Sequence, residues 1–178
     1  VAAPQLRARS VAFALTARLL GPDASVLVDG AHLVALRAAL TAAGDDVALR
    51  RLDALRPDEL PGADVLAGRW VRWFDLGRVA PYEGSNVTSN AGGITPRLAD
   101  VAGFYRAFNM AVHGDRPDHV VAQLECLAVT LLAEADADER GDAEQRAVAA
   151  AATRSFLRDH VGGWIDAWAA RVGAIPEL

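Results

Sequence analysis

Val120, Leu124, Leu127 and Leu131 recur at intervals of three and four residues, with Val121 and Ala128 beside them. Such a run reads as one long helix whose broad apolar stripe has to be covered by other helices. It is expected to be the central, deeply buried helix, ending before the acidic stretch Glu134–Glu144, which reads as a solvated loop. The same period returns elsewhere. Leu6, Phe13, Ala14, Ala17 and Leu20 predict a helix from Pro4 to Leu20, stopped by Gly21-Pro22-Asp23. Leu33, Leu36 and Leu40 predict a second helix after Gly30, with Gly44-Asp45-Asp46 as its terminator and a shorter helical stretch ending at Arg56-Pro57.

Leu66, Trp70, Trp73 and Phe74 fall at i, i+4, i+7 and i+8, so the segment from Ala63 to Leu76 should bury an aromatic ridge ahead of Gly77. Thr95 and Pro96 read as an N-cap and a first helical proline, followed by a stripe of Leu98, Val101, Ala102, Tyr105 and Val112. From Ala143 to Gly173 the stripe is Leu157, Val161, Trp164, Ile165, Trp168 and Val172, with a kink or break expected at Gly162-Gly163. An Ala-, Leu- and Arg-rich composition with only 6% aromatics favours helix throughout. The expected fold class is all-α, a single-domain helical bundle over residues 1–178.

Charge narrows the functions open to such a bundle. A formal net charge of -5 argues against a general nucleic-acid binder, which needs a concentrated basic surface, and suits a cationic partner better. All 18 basic residues are arginine, so lysine Schiff-base chemistry is excluded. The single cysteine, Cys126, cannot form an internal disulfide, and no apolar leader or membrane-length span appears. A cytoplasmic protein without stable membrane insertion is expected. Asn86-Val87-Thr88 matches a glycosylation sequon, which has meaning only in a secreted chain.

Two segments stand apart from the helical pattern. Residues Ala80 to Thr95 are rich in Pro, Gly, Asn and Ser, and a connection of that length inside one domain is a candidate binding element. At the head of the central helix, Pro117-Asp118-His119 places a short acceptor for the orphan amides beside a titratable, two-sided hydrogen-bonding ring. Asp118 and Glu125 lie seven residues apart, almost two turns, and could present an acidic line on one helical face. The structural alternative is that Asp118 caps the helix and Glu125 pairs with an arginine such as Arg106.

These residues carry a resemblance. Pro81-Tyr82-Glu83 in the long loop, Leu98 to Tyr105 on the next helix, Pro117-Asp118-His119 with Leu124-Glu125, and Phe156 to Val161 before Trp164 resemble the TorD/DmsD and NarJ family. Its members are cytoplasmic chaperones of molybdenum-containing oxidoreductases, and the likeness runs over most of the chain from about Leu66 onward. The resemblance implies an all-helical, TorD-like bundle that is not an enzyme and holds no cofactor of its own. It implies binding of the apo molybdoenzyme catalytic subunit, often through a twin-arginine signal peptide, until the molybdopterin cofactor is inserted. Peptide recognition would fall around the Pro-Asp-His turn and the preceding loop, at Tyr82, Glu83, Asp118 and His119. Such a protein would act as a monomer or as a homodimer. The chain departs from the family pattern at Cys126, where an aromatic is common, and at Asn109-Met110, which replaces a glycine-containing turn.

A leader with two guanidinium groups and an apolar stretch calls for carboxylates beside an apolar groove, so Glu125 joins that set as a client-peptide residue. Each residue also has a purely structural alternative: His119 locking its turn, Tyr82 packing its ring, Glu83 pairing with an arginine. Trp70, Trp73, Trp164 and Trp168 read as core by their spacing, with a partly exposed tryptophan in a peptide groove as the lesser alternative. No metal is expected, because His113, His119, Cys126 and His160 match no compact zinc spacing. Gly92-Gly93 lacks the flanking strand and the lysine of a phosphate loop. A helical ligand-sensing or regulatory domain is the alternative function, but no basic recognition helix accompanies it. A small hydrolase would need a nucleophile motif that the chain does not contain.

Overall fold

The computed structural model describes residues 1–87, 93–112 and 116–176. Its helices are α1 (Ala3–Leu19), α2 (Ser25–Val28), α3 (Ala31–Ala43), α4 (Asp46–Asp53), α5 (Ala63–Trp70), α6 (Glu83–Asn86), α7 (Thr95–Ala107), α8 (Val120–Glu139), α9 (Ala143–Phe156) and α10 (Ile165–Gly173). Wider π-type turns over Val71–Asp75 and Leu157–Val161 extend α5 and α9. Among the described residues no strand forms, and the all-α expectation holds. A lone antiparallel bridge joins Tyr82 to His119.

α8 is the spine. It packs along α1 on one flank and α9 on the other, and α3 covers the far side of α1. Ala3, Ala8, Ser10, Ala12 and Ala17 are all buried, and such small side chains let two helix axes approach closely. The pairing runs antiparallel: Ala3 N–H donates to Asp138, Arg7 bonds Asp136 at 2.6 Å and Glu139 at 2.6 Å, and the Ser10 hydroxyl donates to the Ala128 carbonyl at 2.7 Å. Toward the other end Ala17 meets Val120 and Leu124 in a cluster with Phe74, Trp164 and Trp168. A second cluster lies on the opposite side of α8, where Val101, Tyr105 and Phe156 close over Cys126 and Leu127.

α8 corrects one sequence expectation. The acidic stretch is not a loop up to Glu144; the helix runs through it to Glu139, and only 140–142 turn before α9 begins. Ala135 and Ala137, between the acids, are fully buried, while Asp136 and Glu139 pair with Arg7 and Asp138 pairs with Arg146 of α9. The charges are anchored to neighbouring helices, so the stretch stays ordered.

The other boundaries follow local chemistry. Gly44 ends α3 with φ 71, and Asp45 caps α4 by accepting from Ala48 N–H at 2.9 Å. α7 stops at Ala107, short of Val112, in a Schellman turn: Asn109 N–H donates to Arg106, Met110 N–H to Tyr105 at 2.8 Å, and Asn109 takes φ 54. Ile94 occupies the capping position that Thr95 was expected to fill, and Thr95 opens the helix without a side-chain cap. The break at Gly162-Gly163 separates the π-type turn from α10 as expected. Trp164 and Trp168 are core; Trp70 and Trp73 are only half-buried.

Candidate functional site

The head of α8 is clamped by the loop that precedes α7. Val120 N–H donates to the Pro81 carbonyl at 2.8 Å, and Glu83 N–H to the Asp118 carbonyl at 2.9 Å, which makes the short Tyr82–His119 bridge. Tyr105 on α7 donates its hydroxyl to the Pro117 carbonyl at 2.5 Å, fixing the turn from beneath. Burial pushes the Tyr105 phenol well above its ordinary range, with the nearby Cys126, Asp118, Glu83 and Glu125 acting in the same direction.

Asp118 does not cap α8. His119 holds the capping position, its Nδ1 accepting from Val121 N–H at 3.2 Å. Asp118 turns back instead, fully buried: Oδ2 accepts from Gly84 N–H at 2.9 Å, and both oxygens take the fork of Arg116 at 2.9 and 2.7 Å. A Cβ at Gly84 would stand 2.0 Å from Ile94 Cδ1 and 3.0 Å from Asp118 Oδ2, so a larger residue here would displace the Ile94 side chain.

Glu83 is equally buried, at the base of α6. One oxygen accepts from Arg97 of α7 and the other from Gln123 of α8 at 2.7 Å. His160 is buried beside them, with Nδ1 3.4 Å from Glu83 Oε1 and Nε2 3.4 Å from the exposed Asp100. Both ring nitrogens lack hydrogen-bond geometry, as does Gln123 Oε1. These distances bring charge to the ring without a directed bond.

Tyr82 and His119 meet edge to face with centroids 5.1 Å apart, and the Arg116 guanidinium lies 4.5 Å above the Tyr82 ring. His119 then continues into a cleft of about 390 Å³, lined also by Trp70, Val112, Val121, Ala122 and Glu125. Glu125 is exposed on its rim and makes no ion pair among the described residues, Arg106 included. The acidic line of Asp118 and Glu125 therefore does not form, since Asp118 faces inward and Glu125 outward.

Five residues singled out in the sequence thus divide into two groups. His119 and Glu125 share the open cleft, whereas Tyr82, Glu83 and Asp118 belong to the clamp behind it. Arg97, Arg116 and Gln123 complete the clamp and escape the sequence reading. Their signal was a glutamine in the middle of the apolar stripe of α8 and an arginine immediately ahead of Pro117. Ser89, Asn90, Gly92 and His113, and Thr88 of the sequon, lie outside the described residues. Among the described residues no three metal-ligating side chains gather, and no helix is long and apolar enough to cross a membrane. A larger crevice of about 720 Å³ runs between α1, α8 and the α3–α4 junction over Leu124, Leu127 and Leu131, with Asp45 and Asp46 on its edge, of which Asp45 is engaged as the cap of α4.

The clamped head of α8 and the cleft beside it, with Glu125 on its rim and Trp70 in its wall, thus sit on a body that is helical throughout its described elements. Residues 31–170 match the family model of the nitrate reductase delta subunit, and the chain belongs to that family of NarJ/TorD-type molybdoenzyme chaperones. The match reaches back past the Leu66 at which the resemblance became readable, to the start of α3. No curated protein and no solved structure matches the chain.

Proposed function

We propose that the protein is a cytoplasmic, non-catalytic chaperone that holds the apo catalytic subunit of a molybdenum-containing oxidoreductase by an arginine-bearing, apolar leader. Holding the leader delays export until the molybdopterin cofactor is in place in the client. The observation that carries this reading is the cleft itself: an exposed carboxylate, Glu125, with no ion pair among the described residues, stands beside Trp70, Val121 and His119. A guanidinium gains a charged partner there while the apolar run covers the ring and the aliphatic wall. The net charge of -5 favours the approach of a cationic segment from a distance.

Glu83 and Asp118 are poor residues for testing this, because both are buried in ion pairs and their loss would disturb the clamp. The discriminating variant is His119→Asn with Glu125→Gln, which keeps a capping acceptor at the head of α8. Calorimetry with a synthetic peptide of two adjacent arginines and a Leu/Ala run should show binding to the wild type. The double variant should lose about 1–2 kcal/mol, roughly 5- to 30-fold, with its melting temperature unchanged. Equal affinity in a folded variant would remove the cleft from the mechanism.

A further inference from the structure

Asp118 and Tyr82 together already form a receptor for an arginine. The carboxylate offers both oxygens to a guanidinium fork, at 2.9 and 2.7 Å, and the phenol ring lies under the guanidinium plane at 4.5 Å. Bidentate pairing combined with stacking is the recognition arginine receives and lysine cannot reproduce. The occupant is the chain's own Arg116, two residues from the carboxylate it covers. Asp118 has no exposed surface, whereas the Arg116 side chain is 40% exposed. The guanidinium is thus the partly exposed side of a seat whose carboxylate is itself buried. The seat is continuous with the cleft, because the Tyr82 ring touches His119, and His119 lines it.

We infer that Arg116 is a built-in competitor: it fills the Asp118–Tyr82 seat in the client-free protein and is exchanged for an arginine of the incoming leader. The inference rests on the leader-binding reading above and adds the identity of the seat and of its resting occupant. Exchange of one guanidinium for another leaves the ion pair and the stacking nearly unchanged. Binding is then driven by what only the leader brings, its apolar run against Trp70 and Val121 and any further arginine at Glu125. A tethered competitor two residues away has an effective concentration of at least the millimolar order, so free arginine cannot displace it. The device rejects isolated cations and admits only a segment that is both basic and greasy.

Deleting the competitor should strengthen binding, the opposite of what losing a contact residue does. With Arg116 seated in most molecules, apparent affinity is reduced by the open fraction, so Arg116→Ala should bind the Arg-Arg peptide about tenfold tighter than wild type. A Lys-Lys version of the same peptide should gain little. Arg116→Lys keeps the charge without the fork and should gain about threefold, which carries the test if the alanine variant does not fold. In the Arg116→Ala background, Tyr82→Leu should abolish the gain. Binding by the wild type with no gain in either folded variant overturns the exchange while the leader reading stands. Failure of the Arg-Arg peptide to bind any form of the protein overturns both.

Discussion

Cys126 shows how position rather than chemistry sets the behaviour of a side chain. It sits with no exposed surface between α7 and the π-type turn after α9, and burial pushes its thiol up to about 12. A thiol so placed is a small apolar filler. Native protein at pH 8 should resist iodoacetamide, and full alkylation should appear only in denaturant; rapid native labelling would contradict the packing. The same shift has a consequence for stability. The folded value lies above the ordinary 9.0, so the unfolded chain loses its proton first as pH rises. Stability is intact below about pH 8.5 and declines between about 9 and 12, with Tyr105 shifted in the same direction. Urea denaturation across that range should show a falling midpoint, and Cys126→Ala should flatten the lower part of the fall.

Helix ends are where single residues decide element geometry, and Asn109 is the clearest case. At φ 54 it closes α7 in the left-handed region, the task glycine performs in related turns, and it aims the chain toward Pro117 and the clamp. Asn109→Ala should cost about 1 kcal/mol and Asn109→Gly should be neutral or slightly stabilising, a difference of a few degrees in thermal melts. Stops of this kind are local, which is why α3 between Gly30 and Gly44 and the break at Gly162-Gly163 are legible in the sequence. The acidic end of α8 is not, because its partners Arg7 and Arg146 lie elsewhere in the chain and only the fold brings them together. The site divides the same way. Proline, aspartate and histidine at the head of an apolar helix announce a special turn, yet the role of Asp118 depends on Gly84 and Arg116, which periodicity cannot reveal.

For the molecule as a whole, the proposed attraction to a cationic leader would combine a net charge of -5 with a local carboxylate on the cleft. Exposed charges are screened over about 8–10 Å at physiological salt, so association should slow as salt rises, while release, governed by the apolar contacts, should change little. Stopped-flow measurements between low and high salt should locate the effect in the on-rate; a salt-independent on-rate would mean that charge steers nothing here. On the proposed reading, opposing signs attract the leader at long range, and the clamp behind the cleft fixes the head of α8 from which His119 enters it.

The pairing of α1 with α8 also dictates when the protein can become itself. Ala3 and Asp138 are 135 residues apart in the chain, and the helix that buries the small-residue face of α1 is made long after α1 leaves the ribosome. At typical synthesis rates that interval is on the order of ten seconds. Until then the nascent chain has chiefly α3, with α2 and the Trp70–Val79 stretch at one end, to shield its first helix. Closing so long a loop makes the last step of folding a non-local one, slow relative to the formation of any single helix. A protein that shelters an unfinished client thus spends its own first seconds unfinished.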